Sequence, residues 1–529
     1  MDKDAIFIST SIPYVNGAPH VGFAWELVLA DVLARYHRAC GRRVWFCTGT
    51  DDNSLKNVRA AEALGQPTAA FVRGCGERFE ALCRGLGLSN DDFLRTAFDA
   101  RHAPAVEAIW RACAASGDIY TRSYQGAYCV GCEQFYASYE LAGSRCPEHD
   151  AELERIDEQN AFFRLSRHQA GIDALLTDGT LRIWPDVYRA ESYGWVRAGL
   201  ADFSVSRSTE RARGWGIAVP GDPGQIVYVW FDALVNYISS LGYGTDPSRF
   251  GAGWQQAARR IHVIGKNVTR FHCVYWPGIL ASAGLRPPSD VVVHGFLTVD
   301  GRKIGKSLGN GVDPFGLLER FGAERLRHYL LARFPLGGDG DVSIAGLVHA
   351  SNDALADQLG NLQNRLLVLL DQNTDGNVPA EADGELEPLA RSAAARASAE
   401  LERCDPHAAI GEVFGFIRAI NLALARSEPW RLARRLRDEP DTAASDAGRR
   451  RLRAILGDAA RALLWAAGLL EPFLPETAAR IARAFATPLP RVYAGGGPAW
   501  RDLAGAAPVQ RGPVLFERLA SDVAAAVRH

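Results

Sequence analysis

Two stretches that alternate β-rich runs with helical patterns, set apart by a long segment of different character, constrain the fold more than any other feature of this chain. Ala5 to Ile12 is an apolar β-rich run stopped by Pro13. Gly22 to Arg38 repeats apolar residues at helical spacing, and Val44 to Thr48 is a second β-rich run. Strand, turn, helix, strand is the building unit of a parallel doubly wound sheet. The second stretch reads as strand from Ile226 to Trp230, helix to Ser240, strand from Arg260 to Ile264, helix from Arg270 to Ala283 and strand from Val291 to Val293. One α/β sheet interrupted by an insertion accounts for both, with halves at 1–116 and 217–345 and the insertion at 117–216. From 346 to 529 the period is helical: Leu347 to Leu370, Pro388 to Glu402, His407 to Ala425 and Arg449 to Leu470 predict an all-α bundle.

Charge and cysteine usage bound the partners. Lys+Arg 59 against Asp+Glu 61 leaves a formal charge of -2, so a nucleic acid must be held by local basic patches and not by a basic whole. The N-terminal MDKDAIFIST lacks the apolar segment of a signal peptide, and no later run reads as long enough to cross a bilayer. The expectation is therefore a cytoplasmic chain with no membrane partner. Of 10 cysteines only Cys129, Cys132 and Cys146 are grouped, which suits a reducing compartment and one metal site. Cys129-Val130-Gly131-Cys132 and Cys146-Pro147-Glu148-His149 supply four ligands at the spacing of a tetrahedral zinc knuckle: Cys129, Cys132, Cys146 and His149. Four protein ligands leave no open position. The expected role is structural, with one zinc per chain.

Pro13 to Phe23 lies where the first strand turns into the first helix. In a doubly wound sheet that is the ligand-binding edge, and the helix start offers N–H groups to phosphate. Gly17 and Gly22 permit close backbone approach to a nucleotide. Read alone, the segment is better taken as a tight turn with a capping histidine. A second element, Asp300 to Asn310, places Lys303 and Lys306 in a Gly-rich loop. A P-loop, GxxxxGK[ST], would need Gly at 300, where Asp300 stands, so the loop is a different device.

Together His20-Val21-Gly22-Phe23 and Lys303-Ile304-Gly305-Lys306-Ser307 resemble the two hallmark motifs of class I aminoacyl-tRNA synthetases, HIGH and KMSKS. Within that class the blocks IVYVWFDALVNY (Ile226 to Tyr237) and IGKNVTRFHCVYWP (Ile264 to Pro277) are similar to the methionyl-tRNA synthetase family, along nearly the whole chain. The resemblance implies a methionine site lined by Ile12, Tyr14, Asp51, Trp230, Leu234, Tyr237 and His272, with Asp51 facing the substrate ammonium. It implies ATP contacts by His20, Gly22 and Lys306, and charge stabilisation by His20, Lys303, Lys306 and Arg207. In the helical region it implies anticodon reading by Asn361, Arg365 and Trp430. The partners it implies are ATP with Mg, methionine and tRNA(Met), and the knuckle would order the insertion near the tRNA acceptor end. A monomer without an appended C-terminal domain is expected.

The chain departs from the family pattern at several motif positions. The second motif histidine is Phe23, the lysine loop has Ile304 and Gly305, GTDEHG reads Gly49 to Ser54 as GTDDNS, GKD ends in Asn267, and Asp357 precedes the LGN element. Two alternatives stay open at this point: a synthetase paralogue charging another residue or small acceptor, and a non-catalytic tRNA-binding regulatory protein.

Overall fold

The computed structural model describes residues 4–129, 134–136, 145–146, 152–299, 301–303, 312–438, 443–504 and 507–520. The chain divides into two compact units. The first comprises Met1–Ala30, Arg43–Arg84 and Leu88–His294; the second comprises Asp31–Arg42, Gly85–Gly87 and Gly295–His529.

The first unit is built on six parallel strands: β1 (Ala5–Thr10), β2 (Arg43–Thr50), β3 (Asp92–Arg95), β4 (Arg182–Trp184), β5 (Arg259–Gly265) and β6 (Asp290–His294). Their order is β3-β2-β1-β5-β6-β4. Every residue of β1, β5 and β6 is buried, the pattern of strands covered on both faces. Because β1 pairs with β2 on one side and β5 on the other, the direction of winding reverses at β1. Ligands of doubly wound sheets bind at that switch point, outside the carboxyl ends of the strands.

Two parts of the sheet differ from the sequence expectation. Arg182–Trp184, inside the stretch read as an insertion, is the edge strand of the main sheet. Asp290 at the start of β6 anchors it: Arg182 Nε and Arg259 Nη2 approach Asp290 Oδ1 at 2.9 Å each, and Trp184 Nε1 donates to the same oxygen at 3.1 Å. Burial pushes the Asp290 carboxyl up, but the charge of Arg259 and the bonds from Arg259 and Arg182 outweigh it and hold it at about 2. Conversely, Ile226 to Trp230 is not a strand of this sheet. Asp222–Val227 pairs antiparallel with Ser206–Ser208 and Ala218–Val219, and Trp230 already belongs to the helix Val229–Leu234. A short apolar run reads alike as buried strand or buried helix, and this one changes from one to the other at Tyr228. In the insertion, Ile119–Cys129 and Glu154–Phe163 form a long antiparallel pair.

The second unit is mainly helical: Ile344–Ala350 continues through wider turns at Ser351–Gly360 into Asn361–Thr374, followed by Glu387–Glu402, Pro406–Ser427, Pro429–Asp438, Ala443–Leu470 and Pro475–Ala484. Asp405 caps Pro406–Ser427 by accepting from the Ala408 N–H at 2.9 Å. By length and composition alone the helical stretch Pro406–Asp438 is apolar enough to cross a membrane, where the sequence reading found no run long enough. Its apolar residues Ile410, Val413, Phe414, Ile417, Ile420 and Leu424 are buried inside the bundle, and it carries exposed Arg418 and Arg426. It is a core helix whose burial accounts for its hydropathy. Asp357, the departure beside the LGN element, pairs with Arg518.

Candidate active site

His20 closes the loop after β1 and begins the helix Val21–Ala39. Its carbonyl accepts from the N–H groups of Phe23 and Ala24, at 3.0 and 3.3 Å. Its ring Nδ1 accepts from Gly22 N–H at 3.1 Å and from Phe23 N–H at 3.4 Å. An Nδ1 that accepts puts the ring proton of the neutral imidazole on Nε2, so the exposed ring presents a donor beside the positive end of a helix. Gly22 leaves room for this ring position, since a Cβ there would lie 3.0 Å from the His20 ring and push it aside. Polar ties fix the helix over the sheet edge: Ser11 Oγ, just past β1, donates to Glu26 Oε1 at 2.6 Å, and His294 Nε2 at the end of β6 meets Glu26 Oε2 at 2.9 Å.

The residues expected to receive an amino acid gather at the same edge. Asp51 follows β2; its N–H donates to Pro13 O at 2.9 Å, and it forms a parallel bridge with Tyr14. Tyr14 meets Trp230 edge-on at 6.3 Å, and Trp230 stacks on Phe271 at 3.8 Å with the rings 7° apart. Tyr237 Oη and His272 Nε2 are 2.6 Å apart, and His272 Nδ1 lies 2.9 Å from Val268 O. Since Nδ1 must donate to that carbonyl, Nε2 accepts from the tyrosine. Burial holds His272 down at about 4 and raises Tyr237 well above its ordinary value, so both stay neutral. Leu234 is buried in the adjoining core, Ile12 is partly buried in the loop after β1, and the buried Trp230 Nε1 has no partner among the described residues. The result is a soft aromatic floor with one buried carboxylate at its rim, suited to a zwitterion with an apolar side chain.

The remaining expected residues lie partly inside and partly outside the described residues. Arg207, on Ser206–Ser208, is buried over the ring of Tyr228 at 4.1 Å, and its Nη1 donates to Ser204 Oγ and Ser206 O. It therefore supports the residue that precedes the Trp230 helix. The backbone of Lys303 pairs with Thr298 in the second unit, and Lys306 lies outside the described residues. Of the zinc candidates, Cys129 and Cys146 are buried in one small cluster with Leu153, while Cys132 and His149 lie outside the described residues. Arg365 Nη2 donates to Asn421 Oδ1 at 2.7 Å and its guanidinium lies 5.9 Å from the Trp430 ring centre; Asn361 is exposed one turn away on the same helix.

Sequence reasoning passed over Phe271, Lys56 and the partners of Asn53. Phe271 is the stacking partner of Trp230, and its position next to His272 in the quoted block could have signalled it. Lys56 Nζ sits 4.7 Å from the centre of the Tyr14 ring. Asn53 Nδ2 donates to Asp232 Oδ2 at 2.7 Å, and Asp232 Oδ1 meets His102 Nε2 at 2.5 Å. The Asn53 amide is thus held in a buried network.

Phe23 is 6% exposed and packs edge-on against Phe79 at 5.5 Å. Its ring is part of the core, which gives a direct expectation for Phe23→His. Burying an imidazole in that apolar contact should cost about 1–3 kcal/mol, lowering the melting temperature without a gain in adenylate formation. A tenfold faster reaction in the variant would show instead that a ring at this position reaches the phosphates.

A helix start that offers donors beside an aromatic pocket, both at the switch point of a parallel sheet, defines a nucleotide-binding α/β protein. Comparison with known proteins makes the class specific. The family model described as "tRNA synthetases class I (M)" matches residues 6–160 and 149–367, and the chain belongs to that family. It is 37% identical to the methionine–tRNA ligase of Brucella suis biovar 1 over 497 residues, 92% of this chain and 93% of that protein. It is 35% identical to that of Streptomyces coelicolor over 541 residues, 98% of each. Its structure is similar to that of Mycobacterium tuberculosis methionyl-tRNA synthetase in complex with methionyl-adenylate, with a TM-score of 0.89, 34% identity and coverage of 97% of this chain and 99% of that chain.

Proposed function

We propose that this chain is a methionine–tRNA ligase, activating methionine with ATP and transferring it to tRNA(Met). The observation that carries this is its similarity, over nearly its whole length, to ligases of that specificity and to a synthetase bound to methionyl-adenylate. In the first step a methionine carboxylate oxygen attacks the α-phosphorus of ATP and pyrophosphate leaves. In the second, a terminal ribose hydroxyl of tRNA attacks the adenylate carbonyl and AMP leaves. Asp51 would hold the substrate ammonium, with Tyr14, Trp230, Phe271, Tyr237 and His272 around the thioether. His20 Nε2 and the helix N–H groups would donate to phosphate oxygens as negative charge develops, with Lys303 and Lys306 supplying cations. Mg bound with ATP supplies further charge neutralisation. Methionine-dependent ATP–pyrophosphate exchange tests the reading; exchange driven by another amino acid and not by methionine would sink it.

The second part of the reading is a structural zinc held by Cys129, Cys132, Cys146 and His149. Support comes from the ligand spacing and from the burial of Cys129 and Cys146 in one cluster. Metal analysis should find one zinc per chain. Cys129→Ser should lose most of it and charge tRNA poorly, because a closed zinc site is a folding contribution. A metal-free preparation with full charging activity would refute the site.

A further inference from the structure

A buried polar chain ties the parts of the amino-acid pocket together. We infer that Asn53 is its coupling residue: it fixes the Asp51 carboxylate relative to the Trp230 floor and so sets the selectivity of the site for side-chain length, a role that rests on methionine being the substrate. Asn53 joins the two parts with two different groups. Its backbone N–H donates to Asp51 Oδ1 at 3.2 Å, and its side-chain Nδ2 donates to Asp232 Oδ2 at 2.7 Å. Asp232 belongs to Val229–Leu234, the helix whose second residue is Trp230. The other oxygen of Asp232 meets His102 Nε2 at 2.5 Å, and His102 Nδ1 lies 2.9 Å from Ser239 Oγ on Asn236–Ser239, the helix that carries Tyr237. Asn53, Asp232, His102 and Ser239 are all buried. One run of hydrogen bonds therefore reaches from the rim carboxylate to both helices of the aromatic floor.

The floor needs such a tie because its own helix is weak. Val229–Leu234 has 6 residues, and Tyr228 at its N-cap makes no side-chain capping bond. A helix so short takes its geometry from tertiary contacts. Asp232 is its one charged residue, and a different element holds each carboxylate oxygen: Asn53 beyond β2 holds Oδ2, and His102 at the start of His102–Ala115 meets Oδ1. Hydrogen bonds to a buried carboxylate are among the stronger ones, and a lost donor leaves the oxygen desolvated. Without the Asn53 amide, Trp230 and the Phe271 ring stacked on it are free to shift relative to Asp51. An amino acid in this pocket must place its ammonium at Asp51 and the end of its side chain on that stack at once, so their separation measures chain length. A floor that shifts binds methionine less well and tells it from a longer homologue less sharply. Asn53 stands where the family pattern GTDEHG has its histidine, whose ring could offer one N–H to the same carboxylate.

The test is ATP–pyrophosphate exchange by the full chain with methionine and with ethionine, which is longer by a methylene. Asn53→Leu keeps the volume and removes the donor. The KM for methionine should rise roughly tenfold, the effect of losing one hydrogen bond to a buried charge. The KM for ATP should be unchanged, and the preference for methionine over ethionine in kcat/KM should fall several-fold. Asn53→His, which keeps a donor, should retain more of that preference. Asn53→Asp sets two carboxylates against each other and should lose more than Asn53→Leu. Adding Asp232→Asn to it reverses donor and acceptor at the same number of carboxylates and should recover much of the KM and of the preference. A lowered melting temperature in Asn53→Leu with wild-type KM and preference would reduce the chain to a structural tie and overturn the inference. So would a swapped pair that recovers nothing over Asn53→Asp. A wild-type chain that shows no exchange with methionine would overturn the parent reading instead.

Discussion

Asp51→Ala should nearly abolish methionine activation while leaving the fold intact. Asp51 is 2% exposed at the end of a central strand, next to Tyr14 and the stacked pair of Trp230 and Phe271. An amino acid entering that aromatic cluster brings an ammonium group, and no neutral side chain can match a buried carboxylate as its partner. Removing one member of a desolvated charge pair costs about 2–5 kcal/mol, or roughly 30- to 3000-fold in kcat/KM for methionine. The backbone contacts of residue 51, its N–H on Pro13 O and its carbonyl accepting from Asn57 Nδ2, do not need the carboxylate, but Oδ1 also accepts from the buried Asn53 N–H at 3.2 Å, so melting should fall only by the cost of that one bond, about 1–3 kcal/mol. A variant with wild-type kcat/KM would show that the ammonium is held elsewhere. Equal losses of activity and stability would point to a structural role for the carboxylate.

Arg327→Ala should have the largest effect on stability. Arg327 is fully buried in the second unit: Nη1 lies 2.8 Å from Asp31 Oδ2, Nε donates to Phe473 O at 2.8 Å and Nη2 to Pro472 O at 3.2 Å. Arg35 Nε also donates to Asp31 Oδ2, at 2.8 Å. Truncation removes one of the guanidinium groups that neutralise the buried Asp31 and leaves three carbonyls, of Leu86, Pro472 and Phe473, without this donor. Breaking a buried pair in this way typically costs about 3–5 kcal/mol, against a total of about 5–15 kcal/mol for a folded protein. Urea unfolding should show a large drop in midpoint, and Asp31→Asn combined with Arg327→Met should recover part of it. A loss below 1 kcal/mol in the single variant would mean that Arg35 alone neutralises Asp31.

What the sequence disclosed and what it hid divide by the range of the interactions. The helix starting at Val21 and the strands at Ala5, Arg43, Arg259 and Asp290 follow from local periodicity and from Pro13. The clustering of Tyr14, Asp51, Trp230, Tyr237 and His272 at one sheet edge was legible because they sit in contiguous blocks of recognisable pattern. Arg182–Trp184 was not legible, since three residues have no period and the strand is held by Asp290, far along the chain. Nor was the engagement of Asn53, whose partner Asp232 is 179 residues away. Phe23 reads in the sequence as a lost phosphate donor; its contact with Phe79 makes it a core ring, a distinction that tertiary packing alone supplies.

Charging of purified tRNAs by the full chain, with each of the twenty amino acids in turn, tests the central claim most directly because it requires both chemical steps and both specificities. The account predicts methionine on tRNA(Met), with other pairings at background. Efficient charging of tRNA(Met) with a different amino acid, or adenylate formation from methionine with no transfer to any tRNA, would contradict it.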